Sequence, residues 1–353
     1  MQRFLRLKRL AFSLLTVLAI VACQRQVYQS DETMANASSD GADCRTIEHT
    51  KGTTEICGQP QRIVVLGPYV LEPLLALNIQ PVGYADHVAF HQGDYTDPSQ
   101  QIPYLGDLIT QPLTNVGLAK APSLEAILKV KPDLILATET VSSSHYEMLS
   151  NIAPTLMFDY FDPVGNLQAI AQAINHTEQA EEVLTQTQQQ IASAQETFAN
   201  FVATYPRVAF LTSSADLQTL AIPVRPAGLC HSLVKTLGFQ ETVPPDLDKQ
   251  DADLLAPISL EALPDFLNDA DILIVLGHNF SDLNQFDGMD NFVEHQLSTL
   301  KQAWKKNAIT QSLNASQADR VYFIPSYLCG AVPGPIGTEL YLEELKEQLL
   351  SSD

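Results

Sequence analysis

Apolar residues recur along the chain in two patterns, short uninterrupted runs and stripes at three-to-four-residue spacing. The stretch Pro122 to Ala137, PSLEAILKVKPDLILA, contains one of each. Ser123 can cap a helix, Glu125 sits in its first turn, and Leu124, Ile127 and Leu128 give it one apolar face. Pro132 cannot donate to the helical ladder and is expected to push Lys131 into extended geometry, ending the helix. Leu134 to Ala137 then form an uninterrupted apolar run, as a strand covered on both faces requires. The same design returns at Ile258 to Gly277, ISLEALPDFLNDADILIVLG, again with Ser-Leu-Glu-Ala and again with Asp before a buried strand. Two matched helix–strand units so far apart predict two similar lobes.

The rest of the pattern fits that plan. Strands are expected at Arg62 to Leu66, Pro81 to Tyr84, Thr155 to Phe158, Arg207 to Leu211 and Arg320 to Ile324. Helices are expected around Leu71 to Leu77 (with Asn78 as a stop), Asn166 to Asn175, Leu229 to Gly238, within Phe280 to Trp304, and Glu339 to Leu350. Ala85 to Gln101 lacks periodicity and reads as a surface loop. Alternating strands and helices of this length predict an α/β fold, with parallel sheets covered by helices. From Glu178 to about Thr204 there is no Gly or Pro, and Thr177 is expected to cap the segment. That gives ~40 Å of helix at ~1.5 Å per residue. Ala180, Val183, Leu184, Ile191, Ala194, Phe198 and Phe201 form a thin apolar stripe along it. The expected division is 1–22 a processing segment, 23–43 a tether, 44–176 a first lobe with an opening hairpin, 177–204 a spine helix, and 205–353 a second lobe.

The first 22 residues stand apart from the fold. Arg3, Arg6, Lys8 and Arg9 precede an apolar run from Leu10 to Ile20, and Ile20-Val21-Ala22-Cys23 resembles the bacterial lipoprotein cleavage box. Cys23 is thus the expected lipidation site, and the mature chain an exported, membrane-anchored protein in the periplasm or on the outer face of the cell membrane. Gln24 to Asp43 is polar and reads as a tether. The formal charge of −21 becomes −25 when the four basic residues of the leader are removed. A chain so acidic offers no basic face for nucleic acid. Four cysteines remain and allow three pairings. Cys44 and Cys57 flank a short polar hairpin and are paired on that ground, which leaves Cys230 for Cys329, a pairing the sequence leaves open.

Taken together, RIVVLGPYVLEPLLALNIQPVG (62–83), PSLEAILKVKPDLILA, IAPTLMFDY (152–160), ISLEALPDFL, ADRVYFIP (318–325) and GPIGTELYLEEL (334–345) resemble the periplasmic binding proteins of ABC importers for ferric siderophores, haem and cobalamin. The resemblance spans roughly residues 60–350 in the family's order. It implies two Rossmann-like lobes on one long helix (the class III arrangement), a ligand cleft between them, no enzymatic activity, and delivery to the membrane subunits of an ABC permease. It also implies permease-docking roles for Glu125 and Glu261, one per lobe.

Ligands of open α/β sheets lie beyond the carboxyl ends of the strands. A ferric siderophore saturates its own metal, so the protein supplies aromatic walls and a cation rather than metal ligands or an intrinsic cofactor. Arg225, in a loop before a helix, is the first candidate cation. Tyr327 and Tyr69 are the aromatic candidates, followed by Lys120, Tyr104, Tyr160 and His87. Some members of the family carry arginine beside Lys120, where this chain has Ala119. Two rival readings are direct binding of a divalent metal through His87, His91, His231 or His278, and an exported enzyme. The enzyme reading lacks G-x-S-x-G, H-E-x-x-H and P-loop motifs.

Overall fold

A computed structural model of the chain describes residues 43–223, 228–242, 255–280, 283, 286 and 288–350. The leader with Cys23, the tether up to residue 42, Arg225 and the acidic loop Pro245 to Asp253 lie outside the described residues. Thr46–Asp353 is one compact unit, and Met1–Arg45 is a second, described only from residue 43. The hairpin expected at the start is present as β1 (Cys44–His49) and β2 (Gly52–Cys57), and Cys44 and Cys57 are each disulfide-bonded.

The first lobe is a six-stranded sheet built from β3 (Ile63–Leu66), β4 (Gly83–Asp86), β5 (Thr114–Leu118), β6 (Ala121–Pro122), β7 (Leu134–Thr138) and β8 (Thr155–Phe158). Its spatial order is β6-β5-β4-β3-β7-β8, parallel except for the short β5–β6 pair. Every residue of β3, β4, β7 and β8 is buried, as apolar runs covered on both faces demand. The covering helices are α1 (Pro68–Ala76), α2 (Leu124–Val130) and α3 (Pro163–Ala173). Ser123 does cap α2, its Oγ accepting from the Ala126 amide at 3.3 Å. Lys131 departs from expectation. It closes α2 in the left-handed region at φ 48° instead of becoming extended, its amide donating to the Leu128 carbonyl. Leu128 is 56% exposed, so the apolar face of α2 is carried by Ile127 and Val130.

The spine is α4 (Thr177–Thr204), 28 residues long, with Ala180 and Phe198 as its fully buried positions. Thr177 lies inside the helix and His176 occupies the cap. The second sheet contains β9 (Arg207–Ser214), β10 (Leu220–Pro223), β11 (Gln240–Glu241), β12 (Leu255–Pro257), β13 (Ile272–His278) and β14 (Val321–Pro325). Its order is β12-β10-β9-β13-β14, with β11 also on β9. The strands β9, β11, β13 and β14 pair in parallel, whereas β10 runs antiparallel to both of its neighbours, β9 and β12, so the second sheet, like the first, departs from the expected parallel plan at one edge. It is covered by α5 (Leu229–Thr236), α6 (Leu263–Leu267), α7 (Phe292–Lys306), α8 (Ser326–Ala331) and α9 (Pro335–Leu350). The Ser-Leu-Glu-Ala of the twin forms a single 3-10 turn, Leu260–Ala262, that leads into α6. Among the described residues no helix is long and apolar enough to cross a membrane.

Candidate functional site

Asp86 ends β4 and is 4% exposed. A buried carboxylate has to be met by donors, and this one is. The amides of His87 and Val88 donate to its Oδ1 at 2.6 and 3.3 Å, and His87 Nδ1 lies 2.8 Å from the same oxygen. Tyr327, from the first turn of α8 in the other lobe, donates its hydroxyl to both oxygens at 3.1 and 3.3 Å. Burial above all, with the Asp86 charge behind it, holds the Tyr327 phenol protonated far beyond the ordinary range, so it acts as a donor.

Rings from both lobes surround this contact. Phe90 packs on Phe280, Phe286, Phe292 and Tyr327, and Tyr104 packs on Phe292 and Tyr327. The loop expected to be solvated thus buries Phe90 (8%) and Tyr95 (6%). His87 bridges Tyr327 and Tyr69, and Tyr69 meets Tyr160 edge-on at 4.8 Å. Tyr69, His87, Tyr104, Tyr160 and Tyr327 are therefore brought together. Lys120 is exposed, and among the described residues it makes no ion pair and no ring contact with that cluster.

An apolar pocket of about 280 Å³ opens beside the cluster. The first lobe contributes Tyr160 and Phe161, just beyond β8. The second contributes Thr212 and Leu276 near the ends of β9 and β13, Pro223, Leu255, Gly228 and His231 at the start of α5, and Ser326, Cys329 and Gly330 along the short α8. This is the carboxyl end of the second sheet, where ligands of α/β folds collect. Tyr160 fastens one rim, donating its hydroxyl to the Gly330 carbonyl at 2.6 Å, and burial pushes its phenol up to about 12. Phe161 is 47% exposed and Leu255 42%, so the mouth carries apolar surface that a ligand can cover. Cys230 and Cys329 are bonded with Cα atoms 5.2 Å apart, tying α5 to α8 behind the pocket. Pocket residues Phe161, Pro223 and Leu255 were not expected from the sequence. Each is an ordinary apolar residue: Pro223 and Leu255 face each other across the β10–β12 pair, and Phe161 comes to them from the other lobe, pairings that no local signal announces.

The histidines are dispersed. His91 Nε2 contacts the Asp94 carbonyl, His231 faces Glu241, and His278 stacks on Phe280, with burial lowering its pKa. Among the described residues none of these, nor His87, has two further ligand-type side chains gathered round it.

Known proteins extend the picture. A protein of Bacillus subtilis (strain 168) named "Probable siderophore-binding lipoprotein YfiY" is 28% identical over 87% of this chain and 89% of its own. The Fe(3+)-citrate-binding protein YfmC of the same organism is 26% identical over 88% and 86%. The crystal structure of Staphylococcus aureus SirA complexed with staphyloferrin B superposes with a TM-score of 0.67 at 25% identity, covering 87% of this chain and 98% of SirA. The model of the family described as "Periplasmic binding protein" matches residues 63–328. With two α/β lobes on one spine helix, the class III arrangement, and a family match over most of its length, the chain belongs to the periplasmic binding protein family.

Proposed function

We propose that this protein is the extracytoplasmic, lipid-anchored receptor of an ABC importer, and that it captures a ferric siderophore between lobe 44–176 and lobe 205–353. The observation that carries this reading is the pocket at the carboxyl end of the second sheet, walled by Tyr160 and Phe161 from one lobe and by the bridged α5–α8 pair from the other. Such a pocket offers apolar and aromatic surface to the organic shell of a chelate while leaving the iron to the chelator's own donors. Relatives named for siderophores and for ferric citrate support the class of cargo. Arg225 is the proposed cation for the anionic complex, Tyr69, His87, Tyr104 and Tyr327 the framework beside it, and Lys120 a peripheral charge. No catalytic group is proposed. Cys23 carries the anchor, and Glu125 and Glu261 dock the permease.

Intrinsic fluorescence titration of the purified protein tests the cargo. Ferric citrate, ferric hydroxamates, haem, cobalamin and free zinc or manganese are compared. Saturable quenching by one or more ferric chelates is expected. A response confined to free divalent metal overturns the siderophore assignment in favour of direct metal binding. A response confined to haem or cobalamin reassigns the cargo within the same transport function.

A further inference from the structure

His231 opens α5 and is 5% exposed, its ring lying on Phe210 at 4.0 Å and its neighbour Cys230 fixed by the bridge to Cys329. Its Nδ1 is 2.8 Å from Glu241 Oε1 on β11. A carboxylate has no proton to give, so Nδ1 carries the hydrogen and the ring is locked in one orientation. Nε2 makes no hydrogen bond among the described residues. It is also not one of the sealed, unpartnered atoms of the interior, which are Glu72 Oε2, Tyr84 Oη, Thr138 Oγ1 and Tyr341 Oη. His231 lines the pocket, and Nε2 is the ring nitrogen that Glu241 leaves available to an occupant.

Among the described residues no second ion pair is made with His231 or Glu241. Tyr341 on α9 feels the Glu241 charge as a neutral phenol, its pKa raised first by burial. Tyr160, across the pocket, gives its hydroxyl to Gly330. A neutral imidazole with hydrogen on Nδ1 presents a lone pair at Nε2, which repels an anionic oxygen. An imidazolium flanked by Glu241 on one side and a ligand anion on the other is stabilised from both.

We propose that His231 takes up one proton from solvent when a compact, carboxylate-bearing ferric chelate enters the pocket, so that Nε2–H donates to a ligand carboxylate while Glu241 holds Nδ1–H. The inference rests on the ferric-chelate reading above and adds which atom reads the cargo. One Nε2–H bond forms as the buffer acid or solvent acid that supplies the proton loses it and is left as its conjugate base, and no bond of the chelate or of Glu241 changes. Glu241 is a positioning residue. The volume of about 280 Å³ favours a compact chelate over a large one.

The test is isothermal titration calorimetry of the full mature chain with ferric citrate at pH 8, in two buffers of different ionisation heat, repeated from pH 7 to 9. The wild type is expected to take up close to one proton per ferric citrate, with Kd rising up to tenfold per pH unit. His231→Gln keeps an N–H donor and is expected to bind with the uptake lost and the pH slope flattened. Glu241→Gln, which leaves the imidazole in place, is expected to reduce both. Binding of ferric citrate with the same proton stoichiometry in all three proteins overturns the inference and leaves the receptor reading standing. Failure of ferric citrate alone, while another chelate of the panel binds, overturns the carboxylate assignment. Failure of every chelate removes the receptor reading, and this inference with it.

Discussion

At the scale of single residues, Asp86 shows what joins the lobes chemically. Its carboxylate receives two amides, one imidazole contact and the Tyr327 hydroxyl, and only the last comes from the opposite lobe. Tyr327→Phe keeps the ring packing and removes that donor, leaving a buried charge with one partner fewer. A loss of about 1–3 kcal/mol is expected. It should appear as a lower urea midpoint at unchanged m value. Tyr69→Phe, whose hydroxyl has no hydrogen-bond partner among the described residues, should move the midpoint far less. An equal shift for both variants would show that the Asp86 contact contributes nothing beyond packing. Sequence alone reached Tyr327 and His87 because both follow strands, where ligand-facing residues of α/β folds sit. It could not separate a tyrosine that walls a pocket from one whose hydroxyl is spent on a carboxylate, since Asp86 and Tyr327 are 241 positions apart.

At the scale of elements, the unit Pro122 to Ala137 was legible because its signals are local: a capping serine, a periodic face, an apolar run. Where a signal was weak or depended on distant structure, the pattern failed. Thr114–Leu118, TNVGL, has too few apolar residues to announce a strand, yet it pairs with β4 because that edge needs a partner. Lys131 adopts a left-handed closure that the proline rule disfavours. Glu72 in α1 is a further case. It is fully buried at the start of α9, where Oε1 accepts the Ile336 amide at 2.7 Å, and a Cβ on Gly334 would collide with its carboxylate. Burial raises its pKa from 4.5 to about 7 against the opposing backbone donors of Ile336, Gly337 and Gly334. The folded protein therefore keeps this proton over a range in which the unfolded chain has lost it. Stability from this group is full below about pH 4.5 and declines as pH rises to about 7. Glu72→Gln carries no such proton, so it should gain stability relative to wild type between pH 4.5 and 8. Urea melts at the two ends of that range check it. A constant difference would mean that Glu72 ionises normally in the fold. Gly334→Ala, by contrast, should destabilise at every pH.

At the scale of the molecule, the lobes meet through more than the spine. The Phe90–Phe292–Tyr327 wedge, the Tyr160–Gly330 hydrogen bond and the Glu72–Ile336 contact all cross between them. Opening the cleft widely would expose buried rings at roughly 25 cal/mol per Å² of apolar surface. Ligand capture is therefore expected to change the small-angle scattering radius only slightly, and a shift of several ångströms on adding a bound chelate would refute a rigid body. On the receptor reading proposed above, a body that barely closes would present fixed surface features to its permease. Glu125 and Glu261 are the proposed docking features: both are exposed, both lie in the opening turn of the repeated unit, and neither forms an ion pair among the described residues. Complementary charges on two separate lobes set orientation and register more than affinity. Removing a first-turn carboxylate costs its helix about 0.3–1 kcal/mol, too little to unfold a lobe. The double variant Glu125→Ala/Glu261→Ala should therefore bind its chelate with unchanged Kd while cellular uptake of labelled iron is abolished. Each single variant should retain partial uptake. Loss of chelate affinity in the double variant would place these carboxylates in ligand binding instead, and normal uptake would leave them as helix-start charges with no role in docking.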